Sequence, residues 1–281
     1  MKMIMQFFLT FVVISILLSC NRENSAEPAA MQEVFNTDTV FTDIDTTLHI
    51  QTTKEGELTF YQIDRYKTLV VKIPRISSYL FLKNPTKSLR QIALDSNYSL
   101  IVNASYFDFI IKYGATDTTR TFVHAGYLKI GDTVYENIKD DRQLTKIFAY
   151  DSKKNIVNYF NLSDLWQAQE YDLVVQIGPQ IIRKNVLDSA SINASFNGNL
   201  PWPRTTFASV NGKEFYIIVN LGFAPVTLLE LGAMLRTSGI FKKDLDIINF
   251  DGGFSTSLYV KNHPEFCTYP DNKMPLLIGV K

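Results

Sequence analysis

The feature that most restricts the fold is a succession of short apolar runs, each closed off by turn residues. Residues 57–63 (ELTFYQI), 68–73 (TLVVKI), 99–105 (SLIVNAS), 145–150 (TKIFAY), 172–177 (DLVVQI), 207–210 (FASV), 214–219 (EFYIIV) and 245–250 (LDIINF) are rich in β-branched and aromatic side chains. Runs of this length and composition suit strands rather than helices. Asn211-Gly212 lies between two of them and is a hairpin signal, because both residue types tolerate positive φ. Helical periodicity is confined to residues 85–95, 161–170 and 225–239. The last is the clearest. Thr227 and Glu230 fit a capping box, Leu228, Leu231 and Leu235 share a face, and Gly239 offers a stop. Strands outnumber helices and no regular β-α-β alternation is present. The expected class is α+β, a mixed, strand-rich sheet core with a few helices packed on it.

The N-terminus has a different character. Lys2 precedes an uncharged apolar run over residues 4–18, shorter than the roughly 20 residues of a spanning helix. Residues 1–19 therefore read as a secretory signal peptide. The ending Leu-Leu-Ser-Cys resembles the bacterial lipobox, which implies cleavage before Cys20 and lipidation of that residue. The polar residues 20–44 read as the lipidated cysteine and a flexible tether, and residues 45–281 as the folded domain. The expected location is the cell envelope, with the lipid bilayer a partner through Cys20. The one other cysteine is Cys267, so lipidation of Cys20 leaves no intramolecular disulfide and Cys267 reads as a packed thiol.

Charge narrows the partners. The chain carries 28 basic and 28 acidic residues with no basic run, which argues against nucleic acid. His49, His124 and His263 show no zinc-ligand spacing, and neither a phosphate-binding loop nor a dinucleotide fingerprint is present, so no metal or cofactor is expected. Aromatic residues make up 13%, which suits both sugar stacking and a β-rich core.

Four constellations carry candidate chemistry. In residues 248–260, INFDGGFSTSLYV, a strand ends at Asp251. Gly252 and Gly253 permit a tight turn whose amides can face an anion, and Ser255, Thr256 and Ser257 add donors. The same residues also suit a plain turn whose hydroxyls bond the backbone. In PWPRTTF, residues 201–207, Arg204 and Thr205 follow Trp202 and two prolines; a fixed guanidinium matches phosphate, and Trp202 can pack a sugar face. A surface arginine before an edge strand is the alternative. In IVNASYFDF, residues 101–109, Asn103, Tyr106 and Asp108 could meet sugar hydroxyls or make a turn. Gly178-Pro179 interrupts an apolar run as a bend.

The order of these segments, with the capped helix over residues 227–237 and the closing MPLLIGV, resembles the phosphodiester glycosidase family, the uncovering-enzyme-like N-acetylglucosamine-1-phosphodiester α-N-acetylglucosaminidases, over about residues 95–281. The chain departs from that pattern at Phe254, where a third glycine is usual, at Asn220-Leu221-Gly222, where Asp-Gly is common, at Ala104-Ser105 and at Lys273. The resemblance implies a hydrolase that cleaves the glycosidic bond of a sugar-1-phosphodiester in a glycan. Asp251 and Arg204 would be catalytic. Asn103, Tyr106, Asp108, Gly178, Thr205, Gly252, Gly253, Ser255, Thr256 and Ser257 would bind a carbohydrate phosphodiester or polysaccharide. Two other readings stay open, a non-catalytic polysaccharide-binding lipoprotein and an envelope-glycan transferase.

Overall fold

The computed structural model describes residues 48–83, 85–113 and 118–281. The expected signal peptide, Cys20 and the tether lie outside these residues. The chain enters through an antiparallel meander, β1 (Ile50–Glu55), β2 (Leu58–Ile63) and β3 (Thr68–Ile73). There follow β4 (Ser78–Phe81), α1 (Leu89–Ser96), β5 (Leu100–Asn103) and a hairpin, β6 (Phe107–Tyr113) and β7 (Thr118–His124). Next come β8 (Leu128–Ile130), β9 (Thr133–Glu136), β10 (Lys146–Asp151), β11 (Ile156–Asn161) and β12 (Leu173–Ile177). The rest of the chain supplies β13 (Gln180–Arg183), β14 (Val186–Leu187), α2 (Ser189–Ala194), β15 (Arg204–Val210), β16 (Glu214–Asn220) and α3 (Leu228–Thr237). It ends with β17 (Leu245–Gly252), β18 (Leu258–Val260) and β19 (Leu276–Val280).

The strands assemble into sheets of eight (β1-β2-β3-β16-β15-β17-β13-β14), five (β11-β10-β12-β8-β9), four (β18-β5-β19-β4) and two (β6-β7). The expected sheet dominance is what the structure has. Every ladder among the described residues is antiparallel, so the mixture is of helices with sheets and not of parallel with antiparallel strands. The Asn211-Gly212 turn joins β15 to β16 with both residues at positive φ. The expected capping box at Thr227 forms, and a second one, not anticipated, forms at Ser88. Ser88 caps α1 with Gln91, and Thr227 caps α3 with Glu230, each hydroxyl accepting an amide bond while the partner side chain returns one. The expected helix over residues 161–170 is instead a 3-10 segment, Leu162–Ala168, and α2 was not anticipated.

Alternation along the strands decides the layers. On β16, Phe215, Ile217 and Val219 face the two smaller sheets, while Tyr216 and Ile218 face α3. The first set joins Phe148, Val175, Val102 and Ile278 in a core between sheets. The second packs against Leu228, Leu231, Met234 and Leu235 of α3. The smaller sheets are backed in turn, the four-stranded one by Leu89, Ile92 and Ala93 of α1 and the five-stranded one by Ala168 of the 3-10 segment. The central sheet thus has a helical layer on one face and two sheets on the other.

A polar joint fixes the loop between β9 and β10. Gln176, buried on β12, accepts bonds from the amides of Tyr127 and Lys139 (2.9 Å each). Its Nε2 donates to the carbonyls of Lys139 (2.6 Å) and Leu144 (2.8 Å). Truncating it strands four backbone groups, those of Tyr127 and Leu144 in buried surroundings. Gln176→Ala should cost roughly 3 kcal/mol, since an orphaned buried polar group costs about 1–3 kcal/mol. Chemical denaturation reads this as a lower midpoint, and a loss under about 0.5 kcal/mol would contradict it.

Candidate functional site

Strand ends from three sheets meet at one place. β15 begins there with Arg204, β17 ends there with Asp251 and Gly252, β5 ends there with Asn103, and the cis Gly178–Pro179 bond follows β12. The register of β15 against β17 pairs Thr206 with Asn249 but Arg204 with Gly252, so Phe250 and Asp251 both stand opposite Thr205. This is a β-bulge, which bends a strand and re-aims a side chain. Phe250 stays in the core, its ring 5.5 Å from Phe148 and 5.8 Å from Phe207. Asp251 turns into the wall of an open cavity of about 300 Å3. The bulge also explains Gly252: a Cβ there would stand 2.6 Å from the Pro203 carbonyl oxygen. Gly253 follows with φ +65°, which favours glycine.

Six of the residues singled out in the sequence line the cavity: Tyr106, Arg204, Asp251, Gly252, Gly253 and Ser255. Trp202, read as a sugar platform, and Phe254, noted as a departure, line it too. The remaining assignments need correction. Asn103 is fully buried and does not line the cavity; its Oδ1 accepts from Thr205 Oγ1 (2.7 Å) and the Ser257 amide (3.0 Å), and its Nδ2 donates to the Asp251 carbonyl (3.3 Å). Thr205, Thr256 and Ser257 are likewise fully buried and absent from the wall. Gly178 stands behind the wall, where its carbonyl accepts the Tyr106 hydroxyl at 2.8 Å. Asp108 is exposed and paired with Lys139 at 2.7 Å, off the cavity wall. The expected amide nest is also spent, because the Gly252 amide donates to Asp251 Oδ1 and the Gly253 amide to the Pro203 carbonyl (2.8 Å each).

The electrostatics separate the two charged groups. Burial pushes the Asp251 carboxyl up to about 7, against smaller downward pulls from the Ser255 hydroxyl, the Gly252 amide and Arg204. Burial lowers Arg204 to about 10, so it stays charged at neutral pH. Among the described residues Arg204 is in none of the ion pairs, and its guanidinium is held by carbonyls instead. Nε donates to Val226 (3.2 Å), and Nη2 to Asn197 (2.8 Å) and Leu200 (2.5 Å). Nη1 is left without a bond to the described residues. Tyr106 is held far above the ordinary tyrosine range, first by burial and then by the Asp251 charge, so it remains a neutral donor. Asn249 Nδ2 donates to its oxygen.

Sequence reasoning missed Phe107, Gln143 and Asn197 on the wall. Phe107 was within reach, since it lies next to Tyr106 in a flagged segment. Gln143 and Asn197 sit in loops without a motif, and only the tertiary ties of Gln176 and Arg204 bring them in. Among the described residues no cluster of His, Cys, Asp and Glu is close enough to hold a metal ion. Cys267 lies outside the cavity, its thiol raised above the usual range by burial.

No family model matches the chain, and no curated protein matches it by sequence. Solved structures do. The catalytic domain of zebrafish N-acetylglucosamine-1-phosphodiester alpha-N-acetylglucosaminidase superposes with TM-score 0.52 at 13% identity, covering 83% of this chain and 82% of that one. A Synechocystis protein of unassigned function gives 0.45 at 14% identity, covering 83% and 61%. A Burkholderia pseudomallei protein whose name calls it exported gives 0.44 at 11%, covering 80% and 74%. The first of these shows a distant fold relationship to a glycosidase catalytic domain; the other two are too remote to argue from.

The raised Asp251 pKa has a consequence for stability. The unfolded carboxyl titrates near 3.8 and the folded one near 7. Folding therefore favours the protonated form, and stability is full below pH 3.8 and lost as pH rises through 7. Asp251→Asn has no such loss. Its stability should gain on the wild type by on the order of 2–4 kcal/mol between pH 4 and pH 8. Thermal melts across that window test this; a difference that stays flat with pH refutes the shift.

Proposed function

We propose that this protein is a hydrolase that cleaves the glycosidic bond of a sugar-1-phosphodiester, N-acetylglucosamine-1-phosphodiester being the reference case, and that it belongs to the phosphodiester glycosidase family. The observation that carries the reading is the pairing, in one open cavity, of a carboxyl poised near neutrality with a buried arginine that has no acid partner among the described residues. The fold relationship to a catalytic domain supports the same reaction class.

The chemistry follows from what lines the wall. Phosphate departs as a stable anion, so its bond to the anomeric carbon breaks with little need for a general acid. That agrees with Asp251 being the one carboxylate among the lining residues. In its ionised form Asp251 takes a proton from water as the water oxygen bonds to the anomeric carbon. The electron pair of the broken C–O bond leaves on the phosphate oxygen, where the fixed charge of Arg204 stabilises it. The products are a free sugar and a phosphate monoester. Ser255 and the Gly252 amide hold the carboxylate, and the Tyr106 ring and Trp202 shape the sugar pocket. With an acceptor hydroxyl in place of water the same groups would serve a transferase. A non-catalytic carbohydrate binder is the rival reading, favoured by the lack of a second carboxylate on the wall. The lipid anchor at Cys20 and an envelope location belong to the same proposal.

Asp251→Asn should reduce kcat on a sugar-1-phosphodiester by about 100-fold or more while leaving the fold intact. Wild-type kcat/KM should climb as pH rises through about 7, the value at which burial sets the carboxyl. Arg204→Lys keeps the charge but loses the fork, and should lose roughly tenfold or more on the diester and less on an uncharged nitrophenyl glycoside. Saturable binding with no released sugar under any of these conditions would give the protein to the binder reading.

A further inference from the structure

The cavity of about 300 Å3 has room for one sugar and its phosphate, at the small end of ligand sites, so the aglycone must lie at the mouth. The mouth is apolar. Phe254, on the turn after β17, is 74% exposed, and Phe223, in the loop after β16, is 53% exposed. Their ring centroids are 5.8 Å apart at 34°. Phe196 (76%) and Leu200 (44%) are exposed on the loop that carries Asn197 to the cavity wall. Trp202 and Phe254 line the cavity themselves, and through Phe254 the exposed Phe223 ring adjoins the wall.

These side chains are held out to solvent by fixed backbone. The Phe254 carbonyl accepts from Asn272 Nδ2 at 2.8 Å, and the Gly222 amide, beside Phe223, donates to Thr268 Oγ1 at 2.9 Å. The carbonyls of Asn197 and Leu200 are bound by Arg204. An apolar patch displayed this way marks a binding surface. Phe and Leu offer no donor or acceptor to meet sugar hydroxyls, whereas they suit a hydrocarbon chain.

Building on the hydrolase reading, we propose that this collar seats the alkyl or prenyl chain of a lipid-linked sugar phosphodiester. Hydrolysis then leaves the chain on the phosphate monoester. The chain stays on the rim while the sugar and phosphate occupy the cavity.

The test compares methyl and dodecyl diesters of the same sugar phosphate, below micelle-forming concentration, with the intact chain. The wild-type kcat/KM ratio should favour dodecyl by about 30-fold, and Phe254→Ala and Phe223→Ala should each cut that ratio about fivefold. A ratio near one, or one that neither substitution alters, overturns the proposal. A second arm titrates dodecyl phosphate and ethyl phosphate, read by Trp202 fluorescence in a Trp166→Phe background. If turnover is absent for both diesters while dodecyl phosphate binds and Phe254→Ala weakens it, the collar stands and the hydrolase reading falls. Dodecyl phosphate binding no tighter than ethyl phosphate sinks the collar whatever the turnover. A dimer in sedimentation that Phe254→Ala disperses assigns the rim to a second copy and likewise overturns it.

Discussion

The side-chain amide of Asn103 is the joint on which the arrangement depends. It ends a strand of the four-stranded sheet and has no access to solvent. It bonds to Thr205 and Asp251 of the central sheet and to the backbone at Ser257. An amide is both donor and acceptor, so one side chain can hold a carbonyl, a hydroxyl and an amide at once. In a dry junction such bonds are hard to break, because each orphaned partner would carry its own desolvation cost. The joint fixes where the two sheets separate, and the cavity opens beside that separation.

Within that frame the bulge at Phe250 and Asp251 divides the labour between neighbours. The apolar ring goes to the aromatic cluster between the sheets, and the acid goes to the cavity. Burying a carboxyl raises its pKa unless charges answer it. The answer here is partial. Ser255 and the Gly252 amide pull it down, and Arg204 acts at a distance without closing an ion pair. A direct ion pair would have driven the carboxyl well below neutrality and left little space between the groups. Anchoring the arginine on carbonyls keeps both charges available to a ligand.

Much of this was legible in the chain. Strand limits followed from alternation, as in β3 and β16, where the residues of successive faces sort into different cores. The cap at Thr227 and the Asn211-Gly212 turn are local chemistry and appeared where expected; the cap at Ser88 is equally local and was overlooked. Asp251 and Arg204 were readable because a polar group at the end of an apolar run is conspicuous. Asn103 was conspicuous for the same reason, and its role was misread: a sequence shows that a polar residue ends a strand, not whether a neighbouring sheet will close over it. The glycine amides were misread likewise, since only the bulge shows that Asp251 and Pro203 take both. Gln143 and Asn197 were hidden because long-range side-chain bonds place them.

The carbonyl cage around Arg204 has one more effect. Three peptide oxygens, two from the loop ahead of β15 and one from the segment before α3, converge on a single cation and add to the backbone bonds that tie these loops together. A visiting molecule need not gather those loops around itself. Little conformational entropy is then forfeited at the moment of encounter, and the affinity of even a small guest reflects its contacts rather than the cost of building its own enclosure.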